Sequence, residues 1–191
     1  QWQMRPYKTL DDVFEQVEFF VDAVSDYKSD FVLFPEYFNA PLMAKFNHLG
    51  EAQSIRGLAQ YTEEVRDRFI NLAISYNINI ITGSMPYVKE DGGLYNVGFL
   101  VRRDGSYEMY EKVHVTPDEI KSWGLSGGKM VQTFDTDCAK IGILICYDVE
   151  FPELSRIMAD QGMQILFVPF LTDTQNGYSR VRVCAQARAI E

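Results

Sequence analysis

The chain has 191 residues, 47% of them hydrophobic and 14% aromatic, enough apolar material for one well-buried core, so a single domain over 1–191 is expected. A formal net charge of -9 with no basic block excludes a nucleic-acid partner, whose phosphates require clustered Lys and Arg. The apolar runs are strand-sized, short of the roughly 20 residues a membrane-spanning helix needs, and no signal-peptide pattern opens the sequence, so the expectation is a cytoplasmic protein without membrane contact.

Apolar residues Val13, Val17, Phe20 and Val24, widened by Phe14 and Val21, recur at helical spacing and predict an amphipathic helix over 10–27 with Thr9 as its N-cap. The continuous run Phe31 to Phe34 predicts a strand covered on both faces, ended by Pro35, which leaves Glu36 just past a strand end. A second helix is predicted over 58–76, with Leu58, Val65, Phe69, Leu72 and Tyr76 on one side and Glu63, Glu64, Arg66 and Asp67 on the other. The strand Ile78 to Thr82 follows and stops at Gly83. Segments 95–101 and 107–113 flank Asp104-Gly105, a dipeptide suited to the positive φ angles of a tight hairpin, and the outgoing arm carries Lys112.

After a Gly-rich loop (Gly124, Gly127, Gly128), strands are predicted at 131–134 and 141–145, the second running straight into Cys146. A helix over 152–161, a buried strand over 164–169 and a helix over 178–190 with Val181, Ala185 and Arg188 in register complete the pattern. Helices alternating with short apolar strands predict a layered α/β domain. Gln1 in place of Met, and a helical pattern running into Glu191, lead to the expectation that the natural chain extends beyond both ends.

Cys138, Cys146 and Cys184 are widely spaced and odd in number, which suits free thiols better than a disulfide framework. With His48 and His114 the only histidines, and no C-x-x-C or H-E-x-x-H spacing, neither a metal site nor a cofactor is expected. A lone Cys on a buried strand is usually a small packing residue, a Glu after a strand usually a solvated end, and a Lys on a hairpin usually a guard against edge pairing. Cys146, however, closes a strand and precedes a helix, where free backbone N–H groups favour a thiolate. Glu36 at the lip of a buried sheet can be desolvated into a base.

The three occur in ordered motifs: L-F-P-E at 33–36, Y-E-K-V-H at 110–114 and C-Y-D-V-E-F-P-E at 146–153. Together, from about Pro6 to the final R-A-I-E at 188–191, the chain resembles the nitrilase superfamily of carbon-nitrogen hydrolases, in its amidase-like branch. The resemblance implies a four-layer α-β-β-α sandwich, incomplete here at the C-terminal side. It implies a Glu36, Lys112, Cys146 triad that hydrolyses nonpeptide carbon-nitrogen bonds in amides, carbamoyl groups or nitriles by way of a thioester. In that scheme Lys112 and the backbone N–H of Tyr147 stabilise the oxyanion, and Glu119 is similar to a supporting family glutamate that positions the lysine. His114 is read as structural and Asp148 as orienting the turn after the nucleophile.

Tyr37, Phe38, Tyr147, Phe170, Leu171 and Thr172 flank the motif strands, and Tyr37, Phe170 and Thr172 are the substrate-binding candidates. The partners implied are a small-molecule amide or nitrile, a second copy in a homodimer or higher homo-oligomer, and an acyltransferase domain fused in the natural chain. One departure from the family pattern, Glu150 where many relatives carry Arg, replaces a cation by an anion near the site and bears on pocket charge and subunit contacts. Acyl transfer through the same thioester, or a catalytically silent assembly or regulatory domain, are the alternative readings.

Overall fold

The computed structural model describes residues 2–191. Helix α1 (Leu10–Asp26) starts at a capping box: Asp12 N–H donates to the Thr9 hydroxyl, and Thr9 N–H donates to the Asp12 carboxylate. Its stripe of Val13, Val17 and Val21 is fully buried, and Phe14 meets Phe69 of helix α3 (Thr62–Tyr76) with ring centroids 5.3 Å apart.

Both helices cover one face of a five-stranded sheet. Strands β1 (Phe31–Leu33) and β2 (Asn79–Ile81) pair in parallel, and β2 pairs antiparallel with the central strand β4 (Leu94–Val101). Val97 faces Met85 of β3 (Met85–Val88) on one side and Glu111 of β5 (Tyr107–Glu111) on the other, so β4 is paired along both edges. Alternation decides which layer each residue enters. Ile80, Val97, Phe99 and Val101 pack toward α1 and α3, whereas Ile81, Leu100 and Tyr110 pack toward a second sheet.

The second sheet has β6 (Thr133–Asp135) antiparallel to β7 (Lys140–Ile143), which pairs in parallel with β8 (Ile165–Phe167). Ile141 and Ile143 join Phe134 between the sheets. Gly142 faces outward to α4 (Pro152–Asp160), where a Cβ would run into the sulfurs of Met158 and Met163. Helix α5 (Gln175–Ile190), capped by the Thr174 hydroxyl accepting from Gly177 N–H, packs against the turn that follows Cys146. The layers therefore run helix, sheet, sheet, helix, the α-β-β-α sandwich expected.

Four local readings needed correction. The stretch before Leu58 is helical from Glu51: α2 (Glu51–Leu58) runs through a 3-10 turn at Ala59–Tyr61 into α3, and another 3-10 turn spans Ala40–Phe46. Strand β3, which was not among the predicted elements, contains Pro86, a residue with no N–H to donate. It is tolerated on a strand paired with β4 alone, and its carbonyl accepts from the Thr62 hydroxyl at 2.6 Å. At the hairpin only Gly105, not Asp104, takes a positive φ, +87°, and the loop is closed by Arg102 N–H donating to Ser106 O at 2.8 Å. Finally, α5 begins three residues before the predicted Tyr178, where Thr174 supplies the cap.

Candidate active site

Three ladders continue past their formal strand ends, and each delivers one motif residue. Beyond β1, Phe34 N–H donates to Ile81 O and Tyr37 N–H to Ser84 O at 2.8 Å, which fixes Glu36 opposite Ser84. That close approach needs Gly83, at φ +71°, because a Cβ there would collide with Pro35 O. Beyond β5, Lys112 N–H donates to Asn96 O at 2.9 Å. Beyond β7, Leu144 N–H donates to Phe167 O and Cys146 N–H to Pro169 O at 2.9 Å. Cys146 then adopts φ +49°, a left-handed conformation costly for a residue with a Cβ, at the point where the strand turns into the 3-10 turn Cys146–Glu150.

The three side chains line one cavity of about 500 Å³ together with Tyr37, Glu119 and Leu171. Lys112, 2% exposed, donates from Nζ to Glu36 Oε1 at 2.8 Å and to Glu119 Oε2 and Oε1 at 2.8 and 3.0 Å. Glu36, 3% exposed, also accepts from Asn96 Nδ2 at 3.0 Å and from Leu171 N–H at 3.1 Å. The last bond ties the loop after β8 to the other sheet.

Glu119 opens a short π-helical turn, Glu119–Trp123, and is the most heavily hydrogen-bonded carboxylate of the site. Besides Lys112 it accepts from Tyr37 OH at 2.9 Å, Thr116 N–H at 2.8 Å and Thr116 Oγ1 at 2.9 Å. Asp148, also buried, accepts from His114 N–H at 2.7 Å, Val113 N–H at 3.2 Å and, at 3.2 Å, contacts His114 Nδ1. It links the turn after Cys146 to the segment that carries Lys112. The His114 ring stacks on Phe151 at 3.6 Å.

Burial sets the protonation pattern. It pushes the Glu36 carboxyl above the usual carboxylate range, opposed by Lys112 and reinforced by Glu119. For Glu119 burial acts in the same sense, but Lys112 and the Thr116 donors outweigh it and hold the carboxyl below its ordinary value. Burial disfavours the Lys112 charge, yet the two carboxylates keep its pKa above that of a free lysine. Burial and the Glu36 carboxylate raise the Cys146 thiol well above its ordinary value, Lys112 notwithstanding. Against the expectation that the strand end favours a thiolate, burial and the Glu36 carboxylate favour the thiol form of Cys146.

The substrate-binding candidates separate. Tyr37 lines the cavity, with its hydroxyl committed to Glu119. Phe170 and Thr172 line a neighbouring cleft with Trp2, Pro35 and Tyr178 instead, and Leu171, between them in the chain, borders both spaces. Tyr147 packs edge-on against Phe151. Glu150 lies outside the cavity lining and pairs with Arg180 at 2.7 Å. Asn96 and Thr116 are the polar residues that sequence reasoning missed. Asn96 had a readable signal, since a fully buried Asn inside an apolar strand needs a polar partner. Among the described residues no group of three His, Cys, Asp or Glu could hold a metal, and no helix is long and apolar enough to cross a membrane.

Comparison with known proteins bears on the family and the fold. The chain is 48% identical over 191 residues to the probable hydrolase YhcX of Bacillus subtilis, covering all of this chain and 37% of that protein, so it spans little more than a third of that relative's length. It is 31% identical over 201 residues to a deaminated glutathione amidase of Synechocystis, covering 99% of this chain and 71% of the relative. The fold superposes on the crystal structure of a carbon-nitrogen hydrolase from Helicobacter pylori with a TM-score of 0.82 at 22% identity, covering 98% of this chain and 67% of that one. The carbon-nitrogen hydrolase family model matches residues 2–191, and the chain belongs to that family.

Proposed function

We propose that this domain hydrolyses small amides through a thioester on Cys146, with Glu36 as general base and Lys112 as the main oxyanion donor. The observation that carries the reading is the placement of a buried thiol, a carboxyl of raised pKa and a doubly paired ammonium around one cavity. A thiol of raised pKa is a poor nucleophile on its own, so Glu36 must accept its proton as sulfur attacks the carbonyl carbon.

That proton transfer has a second effect. Lys112 has three N–H donors, and at rest they face Glu36 and Glu119. Neutralising Glu36 loosens its hold on Lys112 at the moment negative charge builds on the substrate oxygen. An N–H becomes free for the transition state rather than for the ground state. Cys146 N–H is occupied by Pro169 O and Asp148 N–H by Ile145 O, which leaves Tyr147 N–H as the backbone donor between them.

Glu36 then protonates the departing nitrogen, and the amine or ammonia leaves a thioester behind. Water attacks the thioester carbonyl while giving its proton to Glu36, the carboxylic acid departs, and the proton returns to sulfur. A nitrile would enter by addition of the same sulfur to carbon, with hydration of the resulting thioimidate before the thioester forms. Amides are favoured as substrates because the Synechocystis relative is named an amidase. The reading includes the cytoplasmic setting, homo-oligomer and fused acyltransferase domain implied by the motif resemblance. For oligomerisation, α5 offers the exposed Val183 and Ile190; for a further domain, the Bacillus relative has the extra length.

The test is ammonia release by the full-length protein across a panel of primary amides and nitriles. Turnover that falls by about a thousandfold or more in Cys146→Ala supports the reading. Turnover unchanged in that variant, or absent for every amide and nitrile, overturns it.

A further inference from the structure

The cavity around Cys146 carries fixed charges of one sign at its outer end. Glu51, the first residue of α2, and Asp118, beside Glu119, both line it and both are solvent-exposed. The one cation in its wall is Lys112, whose ammonium is held by Glu36 and Glu119 at 2.8 Å each. Basic residues on neighbouring segments are turned elsewhere. Lys45 Nζ donates to Tyr61 OH at 3.3 Å and Arg56 Nη1 to Gly92 O at 3.2 Å, and Lys121 does not line the cavity.

Apart from its charged groups the wall is largely apolar, formed by Met43, Tyr37, Trp123 and Leu171, with Thr116 and Ser122 beside them. The Tyr37 and Trp123 rings meet edge to face, centroids 5.4 Å apart at 87°. A substrate whose carbonyl sits at Cys146 therefore runs its remaining chain past aromatic surface toward two anions. A carboxylate at the far end of that chain meets like charges and no free cation. An ammonium or guanidinium meets opposite charge and electron-rich rings.

Resting on the reading that Cys146 attacks an amide, the geometry points to a substrate class: primary amides whose distal end carries a positive charge on a short alkyl chain, with ω-carboxylate amides of the same length disfavoured. A cavity of about 500 Å³ is ample for such a molecule. Both selecting carboxylates are exposed, so their effect is screened by salt and amounts to a preference, not an absolute barrier.

Three amides of matched length test this on the full-length protein: 5-aminopentanamide, neutral pentanamide and the monoamide of glutaric acid. The expected result is a kcat/KM for the cationic amide about tenfold or more above that of the anionic one at low ionic strength, carried mainly by KM and shrinking as salt is added. In a Glu51→Gln, Asp118→Asn double variant the ratio should collapse toward one. Arg180→Ala, a charge change outside the cavity, should keep it. Equal or better turnover of the anionic amide, or a ratio untouched by the double substitution, overturns the charge selection alone. Failure to turn over pentanamide and both charged amides overturns the hydrolase reading along with it.

Discussion

Substituting Glu119 by Gln removes one negative charge from a buried cluster while changing its volume little. Glu119 receives two contacts from Lys112, two from Thr116 and one from Tyr37. The Gln side chain keeps one acceptor oxygen but turns an NH2 toward a group of donors, so at least one charge-assisted bond is lost. Such bonds are worth about 1.5–3 kcal/mol, and stripping a partner from a buried ion pair costs about 3–5 kcal/mol. Because Glu36 still pairs with Lys112, the lower part of the range applies, about 2–3 kcal/mol, or roughly a 30- to 150-fold loss in kcat/KM if it is all expressed in the transition state.

A purely structural role would lower activity without moving its pH dependence. Here the Glu119 charge helps raise the Glu36 pKa, so its removal should shift the acid limb of the kcat/KM profile to lower pH. Stability gives a second readout. The Glu119 pKa is lowered on folding, so its contribution is fully present above the unfolded value near 4.5 and is lost as pH falls through the folded value. The variant should therefore be less stable than the parent at neutral pH, and the gap should close in acid. A kcat/KM within twofold of the parent and an unmoved acid limb would refute the idea that Glu119 positions Lys112.

Other consequences can be checked with single substitutions. Gly98 packs beneath the Tyr110 ring, whose hydroxyl donates to Gly83 O, and a Cβ there would overlap both the ring and that carbonyl. Gly98→Ala should cost about 1–3 kcal/mol in denaturant unfolding and lower activity by displacing the Glu36 strand end. Asp148→Asn leaves one of two backbone donors, Val113 N–H or His114 N–H, poorly paired in a buried site, so it should cost about 1–3 kcal/mol of stability and reduce kcat more than it raises KM. Arg180→Ala breaks a pair in which Arg180 is largely exposed, so stability should change by about 1 kcal/mol or less and kcat/KM should stay within twofold.

The layered α/β pattern was legible because its signals are periodic and long, whereas the four-layer sandwich followed from the motif resemblance. The α1 stripe and the apolar runs at β2 and β7 reflect burial, which selects residue type there, and Thr9 supplies the cap of α1; β1 and β8, both expected to be buried, leave Leu33 and Ile165 exposed. Segment 39–57 was not legible: its turns are short, and Gly50 caps α2 without a side-chain hydrogen bond. Yet it supplies Met43 and Glu51 to the cavity wall. At the site, motif order singled out Glu36, Lys112 and Cys146, but no pattern in the sequence reports their protonation states. Those follow from burial and mutual charge, quantities that exist only once the strands are assembled, and at Cys146 they work against the expected thiolate. That Leu171 reaches the cavity while Phe170 and Thr172 border the neighbouring cleft likewise depends on how the loop after β8 is placed.

The most direct test is intact-mass and peptide-level mass spectrometry of the full-length protein, acid-quenched during turnover of an amide. Expected is a covalent adduct of the acyl mass on Cys146, absent from Cys138 and Cys184, that accumulates in the first turnover and disappears as substrate is exhausted. Steady hydrolysis with no acyl adduct under conditions that preserve a control thioester, or an adduct on another cysteine that survives Cys146→Ala, would contradict the account.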